Sequence, residues 1–220
     1  MKLHLEVLPK PQREFWDDLA ATVPADFVLY GGTAIALRLG HRNSVDFDFF
    51  SDQDVEVDRL RSAVPPLKSA TTLDRKPDTV TVSLPMPSGA VKLSFFGGLK
   101  FGRVGDPDHV QNKVSIASSL DLLATKLKTL HDRIEPRDYI DIEALLKSGL
   151  TLGQGIAAAQ SMYGLQLNPL DTVKAVAWFK DGDLDRKLSR ATKSFLADAS
   201  AKFEPNVTPI PIKSKTLRVG

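Results

Sequence analysis

The chain has no cysteine in its 220 residues, which excludes a disulfide scaffold, a thiolate zinc site and a cysteine nucleophile. It also lacks any apolar run near the roughly 18–20 residues needed to span a bilayer. The first ten residues alternate polar and apolar side chains and include Glu6, so they lack the apolar centre of a signal peptide. A soluble, cytoplasmic protein with no membrane partner is expected. An excess of charge of one sign is missing too. The 29 basic and 27 acidic residues leave a net charge of +2, too little to argue for nucleic acid. What remains is ordinary: 42% hydrophobic and 25% charged residues, which excludes disorder of the whole chain. A chain of this length buries roughly 70% of its unfolded surface and needs no disulfide or structural metal to fold.

The charge is unevenly placed. From Arg186 onward, eight basic residues stand against Asp198 and Glu204. An anionic polymer could use that stretch, but a solvated helix face followed by a basic tail accounts for it as well, and charge runs are mostly of that second kind.

The first half reads as short strands and turns. Residues 26–30 form a β-branched and aromatic run that ends at Gly31-Gly32. Thr33 to Leu39 has room for two helical turns, with Thr33 as N-cap and Gly40 as stop. Residues 45–50 alternate as a second strand. Residues 79–84 and 90–96 flank Pro85-Met-Pro-Ser-Gly89, the pattern of an antiparallel pair joined by a five-residue turn. The second half is helical. Ser118 or Ser119 caps a helix whose Leu120, Leu123, Ala124, Leu127 and Leu130 share one face. Pro136 opens another helix that stops at Gly149. Asn168-Pro169 starts a third, and 184–203 forms a last one. This is an α+β chain: a core over 1–115, a helical part over 116–203 that completes a shared cleft, and an extended tail over 204–220, with the division near 110–117.

Two elements carry chemistry. The first is strand, Gly31-Gly32-Thr33, helix. Glycines allow close backbone approach, and a helix N-terminus presents free N–H groups suited to phosphate. The second is Asp46-Phe47-Asp48. Residues i and i+2 of a strand share a face with their Cα atoms roughly 6.6–7 Å apart, so the two carboxylates can converge on one or two divalent cations. Phe47, Phe49 and Val45 are expected on the opposite, core-facing side. Magnesium takes a few carboxylates together with phosphate oxygens and water. In this order the elements describe a metal-dependent nucleotidyl transferase, in which a hydroxyl attacks the α-phosphorus of a triphosphate and expels pyrophosphate.

The block Gly31-Gly-Thr-Ala-Ile-Ala-Leu-Arg-Leu-Gly-His-Arg-Asn-Ser-Val-Asp-Phe-Asp-Phe-Phe50 closely resembles the signature of the AbiEii/AbiGii-type nucleotidyl transferase toxins, a branch of the polymerase-β-like superfamily. A second block agrees with it in order: Lys126, then Arg133, then Arg137-Asp-Tyr-Ile-Asp-Ile142. The resemblance covers roughly residues 27–148. It implies a polymerase-β-like core, a mixed sheet with flanking helices, followed by a helical C-terminal part. It implies Mg²⁺ or Mn²⁺ as cofactor, a nucleoside triphosphate as substrate, an RNA acceptor such as a tRNA end, and a cognate antitoxin as partner. Gly31, Gly32 and Thr33 would cradle the β- and γ-phosphates, Asp46 and Asp48 would hold metal, and Lys126 would reach the cleft and neutralise phosphate. Asp138 and Asp141 lie at i and i+3 on one helix face. One would orient or deprotonate the attacking hydroxyl while the other pairs with Lys126 or Arg137. Arg42 and Ser44 are candidate phosphate or ribose contacts. His41 reads as a loop residue.

One departure stands out. Many polymerase-β-like enzymes place a third carboxylate on a neighbouring strand, and here the candidate strand, 90–96, offers Lys92 and Ser94 on one face and no acid. Two other readings therefore stay open: a degenerate protein that binds nucleotide or RNA without turnover, and a phosphotransferase using the same Mg²⁺–triphosphate cradle.

Overall fold

The computed structural model describes residues 2–19, 23–110, 114–164 and 167–218. Its strands are β1 (Val28–Tyr30), β2 (Asp46–Phe50), β3 (Thr71–Lys76), β4 (Thr79–Met86), β5 (Gly89–Phe96), β6 (Asp108–His109) and β7 (Ser115–Ile116). Among the described residues they make one mixed sheet in the order β3-β4-β5-β2-β1-β7-β6. Strand β1 runs antiparallel to β2 and parallel to β7, and β2 runs parallel to β5. The expected α+β class is what is found.

Alternation along β2 sorts its side chains. Phe47 and Phe49 are fully buried, whereas Asp46 and Asp48 are only partly so. On the aromatic face, helix α1 (Lys10–Leu19) lays Phe15 and Trp16 on Phe47 at ring-centroid distances of 6.1 and 6.2 Å, and Phe49 stacks on Phe95 at 5.4 Å. Each such phenylalanine contributes about 1.5–3 kcal/mol by leaving water, so this face fixes which way the aspartates point.

The helices that follow are α2 (Gly31–Leu39), α3 (Val57–Ala63), α4 (Ser119–Thr129), α5 (Pro136–Lys147), α6 (Leu152–Tyr163), α7 (Pro169–Ala177), α8 (Leu184–Lys187) and α9 (Arg190–Ala201). Ser118 caps α4 by accepting from the Asp121 N–H at 3.1 Å, and Asn168 caps α7 by accepting from Leu170 N–H at 2.9 Å. Helix α2 packs on both α4 and α5, and α4 lies against α6. Gly155 makes that last approach possible, since a Cβ there would come within 2.6 Å of Leu123 Cδ2. The buried cluster that includes Phe47 also contains Leu123, Leu127, Ile142 and Leu145. One continuous core thus joins the sheet to the helical part. Residues 111–113 of the expected division and the last two of the tail lie outside the described residues.

Several local expectations need correction. Helix α2 begins at Gly31, not Thr33, so Thr33 sits inside the first turn and caps nothing. Val45 precedes β2 and is 40% exposed instead of facing the core. The β4–β5 strands pair through to Met86 and Gly89, leaving a two-residue turn where five were expected. The segment 184–203 is two helices, because Ser189 accepts from the Thr192 N–H at 3.0 Å and starts α9 afresh. The extended tail is docked on the core. Arg103 N–H donates to the Ser214 carbonyl at 2.8 Å, and Leu217 is fully buried. In the basic stretch, Arg186 and Lys187 pair with Asp183, Lys193 with Asp185 and Lys213 with Asp106. Much of that charge is neutralised within the molecule, as a solvated face requires. No helix among the described residues is long and apolar enough to cross a membrane.

Candidate active site

The antiparallel register sets Asp48 of β2 opposite Tyr30, the last residue of β1, so the chain turns into α2 beside the Asp48 carboxylate. Gly31 makes the turn with φ +71°, and a methyl group there would overlap that carboxylate. Only glycine meets both demands without strain. Gly32 is equally crowded: a Cβ would overlap the Arg42 guanidinium and lie 3.3 Å from Asp141 Oδ2. The glycine pair, the aspartate strand and the helical part therefore meet at one place.

Asp46 and Asp48 project from the same face of β2. Burial pushes the Asp48 carboxyl up, the Asp46 charge pushes it further, and Lys126, Lys92 and Arg133 act in the opposite direction. Asp46 is more open, with Lys92 Nζ 3.7 Å from its Oδ2. On β5, Lys92 and Ser94 stand beside Asp46 and Asp48 respectively, as the parallel register dictates. Ser94 is buried and accepts a 3.2 Å hydrogen bond from the Thr81 hydroxyl.

Behind this pair lies a buried ionic network. Lys126 of α4 reaches Asp138 Oδ1 at 2.6 Å and Asp141 Oδ2 at 2.8 Å, and both carboxylates are wholly inaccessible. Arg133 binds Asp138 at 3.0 and 3.2 Å. Arg42 makes a two-pronged contact with Asp141 at 2.7 and 2.9 Å, and His41 Nε2 lies 2.7 Å from Asp141 Oδ1. Burial acts to raise the pKa of Asp141, but its bonds to His41 and Arg42 and the Lys126 charge outweigh that and hold it well below the usual carboxylate range. Removing one partner from such a buried network typically costs about 3–5 kcal/mol.

This arrangement revises several expected roles. A carboxylate held by three basic groups is a poor proton acceptor, so Asp141 is not placed to deprotonate a hydroxyl. Asp138 is closed in by Lys126 and Arg133. Both aspartates pair with Lys126. Arg137 is exposed and forms no ion pair among the described residues. The Thr33 hydroxyl is buried, 2.8 Å from Ser44 Oγ, and donates to the Asp46 carbonyl. Thr33 and Ser44 thus tie α2 to the strand entry. His41, read from sequence as a plain loop residue, joins the network. The unmet need that could have revealed it was the charge of two buried acids facing a single lysine.

A group of three or more His, Asp or Glu side chains able to cage a metal is absent among the described residues. Two carboxylates on an open face instead suit a hard cation that takes one or two of them and completes its shell with water and phosphate oxygens. A groove of about 710 Å³ between the end of α5, the start of α6, α9 and the tail has none of these residues in its lining. Chemistry, not cavity size, marks the site.

A family model described as nucleotidyl transferase AbiEii toxin, type IV toxin–antitoxin system, matches residues 15–208. The chain belongs to this family. As an AbiEii nucleotidyl transferase, it carries nucleotidyl transfer in a toxin–antitoxin setting. It is 26% identical over 181 residues to an uncharacterised protein of Aquifex aeolicus (strain VF5), covering 79% of this chain and 84% of that one. Its fold is similar to that of JHP933 from Helicobacter pylori, at TM-score 0.54 and 20% identity over 87% of this chain and 88% of that chain. It is also similar to that of MenT4, the nucleotidyltransferase toxin Rv2826c from Mycobacterium tuberculosis H37Rv, at TM-score 0.50 and 15% identity over 93% and 75%. The AbiEii match reaches past the sequence signature into α9, so the helical part belongs to the same family unit as the acid strand.

Proposed function

We propose that this AbiEii chain moves a nucleotide from a nucleoside triphosphate to an RNA acceptor, with an antitoxin encoded alongside it. The observation that carries the reading is the placement of Asp46 and Asp48 on one open strand face directly beside the Gly31 turn. Asp46 and Asp48 would hold Mg²⁺ or Mn²⁺, which, when bound, supplies positive charge to the triphosphate oxygens. Gly31 and Gly32, at the start of α2, offer backbone N–H groups to the phosphates. Arg133, more than half exposed and felt electrostatically by Asp48, adds positive charge at the rim. Lys126 acts from behind, keeping a fixed positive charge near Asp48 while locking α4 to α5. The acceptor oxygen bonds to the α-phosphorus as the bond to pyrophosphate breaks, and the hydroxyl proton leaves to water. Arg137, exposed on the first turn of α5, is available to the phosphates of the acceptor strand.

The test uses nucleoside triphosphates labelled at the α- or γ-phosphate, Mg²⁺ and total RNA. Transfer of α-label to RNA supports the reading, whereas transfer of γ-label alone would make the protein a phosphotransferase. The absence of an acid at Lys92 and Ser94 favours one second reading, a binder without turnover. Nucleotide binding with no transfer of either label to any RNA would establish it.

A further inference from the structure

The parallel register of β2 and β5 puts four side chains side by side: Asp46 next to Lys92, and Asp48 next to Ser94. On β5, a third carboxylate would join the pair from position 92 or 94. Ser94 is buried and hydrogen-bonded to Thr81. Lys92 is different. Its side chain is 47% exposed, its Nζ lies 3.7 Å from Asp46 Oδ2, and it has no other acidic partner among the described residues. Its charge also acts on Asp48.

Two divalent ions about 3.5–4 Å apart repel each other strongly and need bridging carboxylates to hold them. Here the two carboxylates carry a charge that one divalent ion already balances. A second ion would have to settle beside an ammonium group. We propose that Lys92 supplies the positive charge that a second cation would otherwise bring: the site takes one divalent ion, shared by Asp46 and Asp48, and the Lys92 ammonium balances triphosphate charge on the Asp46 side. The inference rests on the nucleotidyl transfer reading above and adds a metal count and a role for a residue outside the glycine–aspartate signature. It also gives the missing acid a reason. A carboxylate at position 92 or 94 would help a second cation that this site does without.

The experiment counts Mn²⁺ bound per full-length chain by electron paramagnetic resonance, with manganese chloride alone and with a non-hydrolysable α,β-methylene nucleoside triphosphate, the free nucleotide complex being subtracted. This readout needs no turnover. Wild type is expected to bind one Mn²⁺ in both conditions. Lys92→Met should bind that single ion about 2–5-fold more tightly, the size expected of a half-exposed charge, and should lose at least about tenfold in turnover. Lys92→Asp, which places a third acid on the same face, should bind a second Mn²⁺ in the presence of the analogue. Two ions per wild-type chain, or Lys92→Met indistinguishable from wild type in both affinity and turnover, would overturn the role of Lys92 while leaving the transfer reading standing. No Mn²⁺ binding above that of Asp46→Asn would overturn both.

Discussion

Lys126 Nζ sits 2.8 Å from Asp141 Oδ2, and both groups are almost wholly removed from solvent. This contact joins α4 to α5 and, through His41 and Arg42, joins both helices to the loop that leads into the aspartate strand. The helical part thus holds the aspartate strand by charge as well as by apolar packing.

Replacing Asp141 with Asn should destabilise the protein by about 3–5 kcal/mol at pH 7, because three basic groups lose a buried counter-charge. Urea unfolding measures the difference. The pH dependence has a definite sign. The folded pKa of Asp141 is lowered, so its stabilisation is present above the unfolded carboxyl value of about 4 and fades as pH falls below it. The gap between wild type and variant should therefore narrow below about pH 4. A gap that widens there would contradict the charge assignment.

Gly31→Ala should be both less stable and less active. The left-handed turn costs a side chain about 1–2 kcal/mol, and the added methyl pushes on the Asp48 carboxylate. Thermal unfolding and nucleotide transfer, measured on the same preparation, should both decline. A variant with normal turnover would show that Asp48 can move without consequence.

How much of this could be read beforehand depended on the range of the interaction. Strand alternation and the glycine turn are local, so the aspartate face and its neighbour turn followed directly from residues 28–50. The third-acid position was also visible, because alternation in 90–96 already put Lys92 and Ser94 on one face. Pairing across 99 or 100 residues, as between Asp141 and Arg42 or His41, leaves no local trace. Asp138 and Asp141 could be identified as important without it being clear that they were already neutralised. Thr33 looks like an N-cap because its polar side chain follows the glycines, yet α2 starts two residues earlier. Helix α6 is rich in Ala and Gly and shows no strong apolar stripe, although Thr151 and Gln154 form a reciprocal cap that marks its start.

Lys126→Met should lower turnover by about 10²–10³-fold, the usual effect of losing one preorganised positive or hydrogen-bonding group near developing charge. It should also lower Tm, since Asp138 and Asp141 lose their shared partner. Kinetics taken well below the new Tm separate the two effects. Unchanged turnover at a reduced Tm would make Lys126 purely architectural.

Leu217→Ala tests the docked tail. Leu217 is fully buried, and its N–H donates to Asp52 Oδ1 at 3.2 Å. Truncating a buried leucine costs about 2–5 kcal/mol, so chemical denaturation should show a loss in that range. A change under about 0.5 kcal/mol would mean the tail contributes nothing to the core.

The most direct test of the account is transfer of α-labelled nucleotide to RNA by wild type and by Asp48→Asn, with Mg²⁺ titrated in each. The account predicts Mg²⁺-dependent labelling by wild type and none by the variant, which keeps a wild-type circular dichroism spectrum. Equal labelling by both proteins would contradict it.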